Sequence, residues 1–374
     1  MAASTNLDQR TTKPGSLRTG LRRAGPAGLL LAAGLVLAAV AVASRPALAQ
    51  EAASQTWPAF VLVAGLLLIG LVAATDGLFA SAGRLLAGAT RSNKVLLVGT
   101  SVLIVVVTAV LNLDTSVAFL TPIAVEISNR RKAGGLLVAA CLLLSNAGSL
   151  LLPGSNLTNL IVAGKLHLSG GGFAARMGLP WLASVAVTVA AIALFGRAEL
   201  KGSEEAASSG PAGRLGVGAA AVVASVVLVL VDPEPALPVL AVGALAVGVR
   251  VVQGRLRAGQ VLETLGLPVL LGLFGSAVAA GTLGRVWSGP QSLLGRLDPA
   301  GTAALAAAAT VVVNNLPASA LLSAHTPAHP FALLVGLDIG PNLLVTGSLA
   351  WVLWLRSARA AGGEAPLWRT TAMG

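Results

Sequence analysis

Two carboxylates sit where an apolar chain has least use for charge. Asp114 lies in NLDTSVAFLTP, residues 112–122, within an apolar region bounded by RSNK (91–94) and RRK (130–132). Asp338 lies in GLDIGPN, residues 336–342, within another. An intramembrane carboxylate is costly and by default functional, since it can take up and release a proton as its surroundings change. Hydroxyls and amides cluster around the pair: Asn112 and Thr115; Asn146, Ser155, Asn156, Thr158 and Asn159; Asn314 and Asn315; Asn342 and Thr346. Such groups can replace the hydration shell of a small polar solute, and carbonyls freed by a helix break can coordinate a cation. The plainer reading is that Ser, Thr and Asn bridge neighbouring helices, for about 1 kcal/mol or less each. That reading suits single residues better than the whole set. No Lys or Arg lies near either carboxylate, so an anionic solute would meet two like charges offset only by helix N-termini. A neutral hydroxide or a cation fits more easily.

The remaining chemistry-bearing residues carry less. Asp76 is expected at the solvated cytoplasmic end of a span, Glu126 in an i,i+4 pair with Arg130, and Glu263 has no evident partner. His167, His325 and His329 fall at outer run ends, wetted, with no zinc spacing among them. No metal site or cofactor is expected, and without a GxxxxGK loop ATP hydrolysis by this chain itself is not expected either. The single cysteine, Cys141, excludes an internal disulfide and a thiolate cluster, and its apolar run predicts burial.

Those residues need elements to hold them at depth. The 374 residues are 55% hydrophobic and 10% charged, with mean hydropathy +0.85, too little polar surface to cover a soluble globule. The net charge of +11 falls in short basic clusters between apolar runs, the pattern of loop charges on one membrane face rather than of a nucleic-acid surface. At about 20 residues per crossing, candidate spans lie near 27–43, 57–75, 134–163, 179–196, 215–231, 236–251, 262–284 and 329–355. Two further apolar regions, 95–129 and 300–326, carry the polar tips NLDT and NNLP.

Placing both termini in the cytoplasm puts most Lys and Arg inside, including Arg10, Lys13, Arg18, Arg22, Arg23, Lys132, Arg214 and Arg369; outside are Arg45, Lys165, Arg176, Arg285 and Arg296. Trp57, Trp181 and Trp287 then mark outer run ends, and Trp351 and Trp354 an inner one. Because both flanks of 95–129 are basic, it reads as a re-entrant hairpin with arms of about 17 and 14 residues, roughly 25 and 21 Å. The alternative is two short spans with a small outer turn. NNLP is the tip of a second hairpin, entering from outside. Each half thus has two spans, a hairpin and a span broken by SLLLPGSNLTN (149–159) or GLDIGPN. Pro153, Gly154, Gly340 and Pro341 mark a cavity, since broken backbone at membrane depth needs one.

The expected fold is an all-α polytopic membrane protein of two inverted repeats, with about eight spans and two hairpins. Its parts are 1–56, a basic N-terminus with a helix or a signal peptide cleaved after Ala49 of PALAQ (46–50); repeats 57–196 and 215–356; a cytoplasmic linker 197–214; and a cytoplasmic tail 357–374.

The run GLDIGPNLLVTGSLAWVLWL (336–355), with VVVNNLPA (311–318) and GSNLTNLIV (154–162), resembles the arsenical pump membrane proteins of the ion transporter superfamily. The resemblance covers about 57–356. It implies export of arsenite and antimonite through the inner membrane, by exchange with protons or with a separate ATPase subunit. It puts Asp114 and Asp338 at the acidic positions and Asn314, Asn315, Ser155 and Asn156 at polar motif positions. The chain departs from the pattern in having Asn112-Leu113-Asp114 where an adjacent Asn-Asp is common, and Asn146 where an acidic residue is often found. The resulting expectation is proton-coupled export of As(OH)3, with Asp114 and Asp338 bearing the proton. Asn112, Thr115, Asn146, Ser155, Asn156, Thr158, Asn314, Asn315, Asn342 and Thr346 would bind the solute. A sodium/proton antiporter or small-anion permease on the same scaffold is the alternative; a passive channel and a non-transporting receptor stand further off.

Overall fold

The computed structural model describes residues 25–131, 135–166, 168–201 and 216–374. Arg10, Lys13, Arg18, Arg22, Arg23, Lys132, His167 and Arg214 lie outside them, as does most of the 197–214 linker. The described residues are helical throughout. In chain order the helices are α1 (Pro26–Ser44), α2 (Pro46–Thr75), α3 (Leu78–Ala89), α4 (Asn93–Val110), α5 (Leu113–Arg130), α6 (Leu136–Gly148), α7 (Leu157–Ala163), α8 (Gly170–Phe195), α9 (Arg197–Leu200) and α10 (Val217–Val231). They continue with α11 (Ala236–Val252), α12 (Ala258–Leu265), α13 (Leu267–Val286), α14 (Gly289–Leu294), α15 (Pro299–Val313), α16 (Asn315–Leu322), α17 (Pro330–Ile339), α18 (Leu349–Ala360) and α19 (Leu367–Met373). Five stretches are long and apolar enough to cross a membrane: α1, α2, α4, α8 and Ala258–Val286. Gly266, at φ 54°, divides the last of these into α12 and α13.

Proline sets where several helices start. It occupies the first turn of α1, α2, α13, α15 and α17, where its missing N–H costs nothing. Helix α2, 30 residues and about 45 Å long, is one pillar of the bundle. Leu62, Leu66, Ile69 and Val72 are buried along it, with α10, α11 and α13 packed around it. Helix α1 lies against α13 so closely that a Cβ on Gly34 would fall on the Gly272 carbonyl. Small residues permit this approach, on which membrane helices rely for packing.

The other pillar is α6, which shares a hydrophobic core with α2. Every residue from Leu136 to Gly148 is buried, among α4, α5, α8 and α18. Trp351 and Trp354 are fully buried, their indole N–H groups donating to Pro341 O and Val138 O, each at 2.7 Å. The expected inner belt role is therefore corrected: a buried indole needs an acceptor, and the broken α17–α18 backbone and α6 supply one each. Trp57 and Trp287 are exposed, as interfacial indoles would be.

Other expectations also change. Asp76 is not a solvated boundary residue. It forms a 2.5 Å ion pair with Arg250, with both side chains under 10% exposed, and its Oδ2 accepts from Gly218 N at 2.8 Å. The Glu126–Arg130 pair forms at 2.8 Å, exposed. Both arms around NLDT are 18 residues, about 27 Å each and longer than expected, because the apolar pattern continues through the basic flanks. The arms around NNLP are unequal, 15 and 8 residues. Helix α3, amphipathic and between two membrane segments, had no counterpart among the expected spans.

Candidate functional site

Four helix interruptions meet at one place, two tips and two breaks, each where the sequence puts a residue able to cap a new helix. At the first tip α4 ends and Asn112 turns extended, its Oδ1 accepting from Thr115 N at 2.6 Å. Asp114 follows in the first turn of α5, where the positive helix end favours a carboxylate. At the second tip Asn314 alone joins α15 to α16, at φ 76° and ψ 150°. Glycine is nearly alone in using that region, and another residue there stores about 1–3 kcal/mol of strain. Asn314 Oδ1 accepts from Leu316 N at 3.3 Å and its Nδ2 donates to Thr346 O at 3.3 Å.

The two breaks share one local form. Leu152 is extended, Pro153–Ser155 make a 3₁₀ turn, and extended Asn156 starts α7. Leu344 is extended, Val345–Gly347 make a 3₁₀ turn, and extended Ser348 starts α18. The second break therefore lies beyond GLDIGPN, where Gly340 and Pro341 continue helically into a 3₁₀ turn. Gly340 and Pro341 are buried against α15 and α18, whereas Leu343, Leu344 and Thr346 are exposed.

A cavity of about 30 Å³ lies among the four interruptions, room for roughly two waters. Its polar wall is Asp114, Asn156, Thr158, Asn314, Asn315 and Ser348; Leu113, Leu157, Leu273, Leu316, Leu349 and Ala350 complete it. Apart from Leu273, every one of these belongs to the start of α5, α7, α16 or α18. The cavity is thus faced by the N-terminal turns of four helices, with their unpaired N–H groups and positive ends. Asp114 is the sole charged residue in the wall and has no hydrogen-bond partner among the described residues. The Ser348 hydroxyl is buried and unpartnered.

Asp338 is fully buried one layer behind this wall. It accepts from Thr158 Oγ1 at 2.5 Å, Asn156 Nδ2 at 3.1 Å and Ser149 Oγ at 3.3 Å. Asn156 and Thr158 therefore have the cavity on one side and Asp338 on the other. Deeper still, Asn146 Nδ2 donates to Asn342 Oδ1 at 2.7 Å, and Asn342 Nδ2 to Leu143 O at 3.3 Å. The network joins the broken helix of the first half to that of the second.

Of the sequence candidates, Asp114, Asn156, Thr158, Asn314 and Asn315 line the cavity; Asp338, Asn146 and Asn342 stand behind it. Asn112 caps α5, and Thr115 is buried against Gly70 with its hydroxyl unpartnered. Ser155 donates to Ala109 O at 2.8 Å, tying the break to α4. Thr346 is exposed and donates to Val311 O at 2.8 Å, outside the cavity. Ser149 and Ser348 are not among the sequence candidates, although each stands at a helix boundary beside a Gly, a signal legible in the sequence. Neither His325 nor His329 reaches the cavity, and no cluster of metal-ligating residues occurs among the described residues.

A family model described as "Citrate transporter" matches residues 21–353. Among solved structures, the fold is similar to that of the YdaH transporter of Alcanivorax borkumensis, whose crystal structure is described as revealing an unusual topology. The likeness has a TM-score of 0.53 at 16% identity, over 87% of this chain and 83% of that one. No curated protein sequence matches the chain.

Proposed function

The chain belongs to the citrate transporter family and is a multi-pass secondary transporter, not an enzyme; from that premise we propose that it carries a small, oxygen-rich anion of the carboxylate class, coupled to protons. The observation behind this reading is the convergence of four helix N-termini on one cavity, since such ends stabilise anionic groups of a substrate at midplane sites. Asp338 stands behind the wall, so an anion meets one carboxylate in the cavity, Asp114, rather than two. Protonating Asp114 removes that repulsion, and Asp114 and Asp338 are the proposed proton sites. In this conformation the cavity is too small for a tricarboxylate. Loading therefore requires tips and breaks to separate, as alternating access does.

A second reading, export of arsenite or antimonite by proton antiport, draws on a different observation. No Lys or Arg lines the cavity, and a neutral trihydroxide needs none. Sodium/proton exchange is a weaker variant of the same arrangement.

The common local form of the two breaks supports a two-repeat architecture with opposite orientations. The offset that carries Asn156 onto Ser348 also carries Asn146 onto Asp338, pairing an amide with a carboxylate at matching positions. On this reading the helix pairs α4–α5 and α15–α16 are hairpins entering from opposite faces, and both termini are cytoplasmic.

Purified protein in proteoliposomes, under an imposed pH gradient, separates the two readings. Gradient-driven uptake of labelled citrate, competed by other small carboxylates and lost in Asp114→Asn, is the expected result. Accumulation of arsenite without citrate moves the assignment to the second reading. Equal gradient-driven flux in Asp114→Asn removes Asp114 from the coupling.

A further inference from the structure

The last described segment does not hang free of the protein. After α18 the chain turns through residues 361–366, with Gly363 against Val125 of α5 and Pro366 against Gly135 at the start of α6. Helix α19 then runs back into the body, with Thr370 and Met373 buried. Its end, at Gly374, packs on the backbone carbonyl of Asn342, the residue that pairs with Asn146 behind Asp338. One ion pair holds the segment from the side. Arg369 binds the Glu199 carboxylate and donates to Phe195 O at 3.0 Å, and Asn93 Nδ2 donates to Glu199 O at 2.8 Å. Side-chain exposure is 34% for Arg369 and 17% for Glu199. A partly solvated pair of this kind biases a position without fixing it. The segment thus combines a helix buried at Thr370 and Met373, a wetted latch and a glycine, Gly374, set against the network that joins the two broken helices.

We propose that residues 363–374 form a plug that closes the Asn146–Asn342–Asp338 network from the membrane face carrying residues 361–366, with Arg369–Glu199 as its releasable latch. That face is the cytoplasmic one in the orientation proposed above. The plug must withdraw, or move with α6 and α17, before the network can be reached from that side. Local opening of a short peripheral helix is the ordinary low-energy event by which this would happen. The inference concerns access and does not depend on which solute is carried.

The test uses the full chain carrying Cys141→Ser and Asn342→Cys, so that one thiol remains. Its rate of reaction with a membrane-impermeant maleimide is measured in everted and in right-side-out vesicles. Removing residues 363–374 is expected to raise the rate about tenfold from one face only, as opening of a local plug would. Glu199→Arg is expected to raise it a few-fold, about what loss of a partly exposed pair allows. The exchange Glu199→Arg with Arg369→Glu is expected to restore the slow rate, a result that separates a latch from general loosening. Labelling of the full chain as fast as that of the shortened one overturns the plug. If the shortened chain does not fold, the charge exchange decides alone: failure to restore the slow rate overturns the latch and with it the plug. A chain that carries neither citrate nor arsenite still gives each of these outcomes.

Discussion

Replacing Asp338 by alanine removes the acceptor at the joint between the two broken helices. Ser149 Oγ keeps an alternative, since it also lies 2.8 Å from Asn146 O. Thr158 Oγ1 and one Asn156 N–H have none, and both side chains are buried. Stranding a buried donor costs about 1–3 kcal/mol, which sets a range of about 2–6 kcal/mol for the two. Hydrogen bonds between membrane helices average nearer 0.6 kcal/mol, because the unfolded chain in lipid also finds partners. The lower part of the range, about 2–3 kcal/mol, is therefore expected for Asp338→Ala. Asp338→Asn keeps one oxygen for both donors and is expected to lose about 1 kcal/mol or less. Cys141 is the chain's one cysteine and fully buried in α6, so its reaction with a thiol probe during SDS titration reports unfolding without any added label. If Ala, Asn and unaltered chains unfold at the same midpoint, the hydrogen bonds to Asp338 do not hold the broken helices together, and the reasoning fails.

Three other substitutions and one condition bear on the same architecture. Arg250→Ala leaves Asp76 buried without its partner and is expected to cost about 3–5 kcal/mol in the same titration; a loss under 1 kcal/mol would place the pair in water. Asn314→Gly relieves a strained φ but loses the bonds to Leu316 N and Thr346 O; stability should stay within about 1 kcal/mol while transport falls. Asn314→Ala keeps the strain, loses the same bonds, and should unfold more easily than Asn314→Gly. The hydrogen bond from Arg369 holds the Glu199 carboxyl below its ordinary value of 4.5. A lowered folded value means the latch contributes fully above about pH 4.5 and is lost as pH falls through that folded value. Maleimide labelling of the Asn342→Cys chain, with labelling rates corrected to the thiolate fraction, should be flat near neutrality and rise only in acid below that point; a rise centred between pH 6 and 8 would exclude Glu199 as its cause.

Much of this layout is written locally. Asn grouped with Pro, Gly or a second polar residue inside an apolar run announces an interruption, whereas Pro58, Pro122 and Pro180 standing alone leave their helices unbroken, so NLDT, NNLP and the break at 149–156 could be found from one stretch each. The convergence of tips and breaks follows too, because backbone groups freed inside an apolar bundle need polar surroundings. What the chain does not write locally is which way each side chain faces. Thr346 and Asn156 look alike in composition and spacing, yet one is exposed and the other lies between Asp338 and the cavity. The difference arises from α15, which takes Thr346 to its own backbone, and from Ser149, which turns Asn156 inward. Asp76 and Arg250 are far apart along the chain, and a carboxylate at the end of an apolar run reads as solvated until its distant partner is known. Trp351 and Trp354 sat near an inner run end, and only the close approach of α6 makes that end dry.

Those two indoles have a further use. Their ring centroids are 5.7 Å apart at an interplanar angle of 87°, one ring tied to the chain just before the second break and the other to α6. Two chromophores so close, fixed and non-parallel couple their electronic transitions, which gives a circular dichroism band that neither ring has alone. Both rings stand on α18, so a rigid shift of that helix leaves the coupling intact, whereas an excursion that frees Trp354 from Val138 O or Trp351 from Pro341 O lets one ring turn against the other and changes the band. The protein thus has a built-in optical gauge of that movement, readable in unlabelled samples while substrate or acid is added.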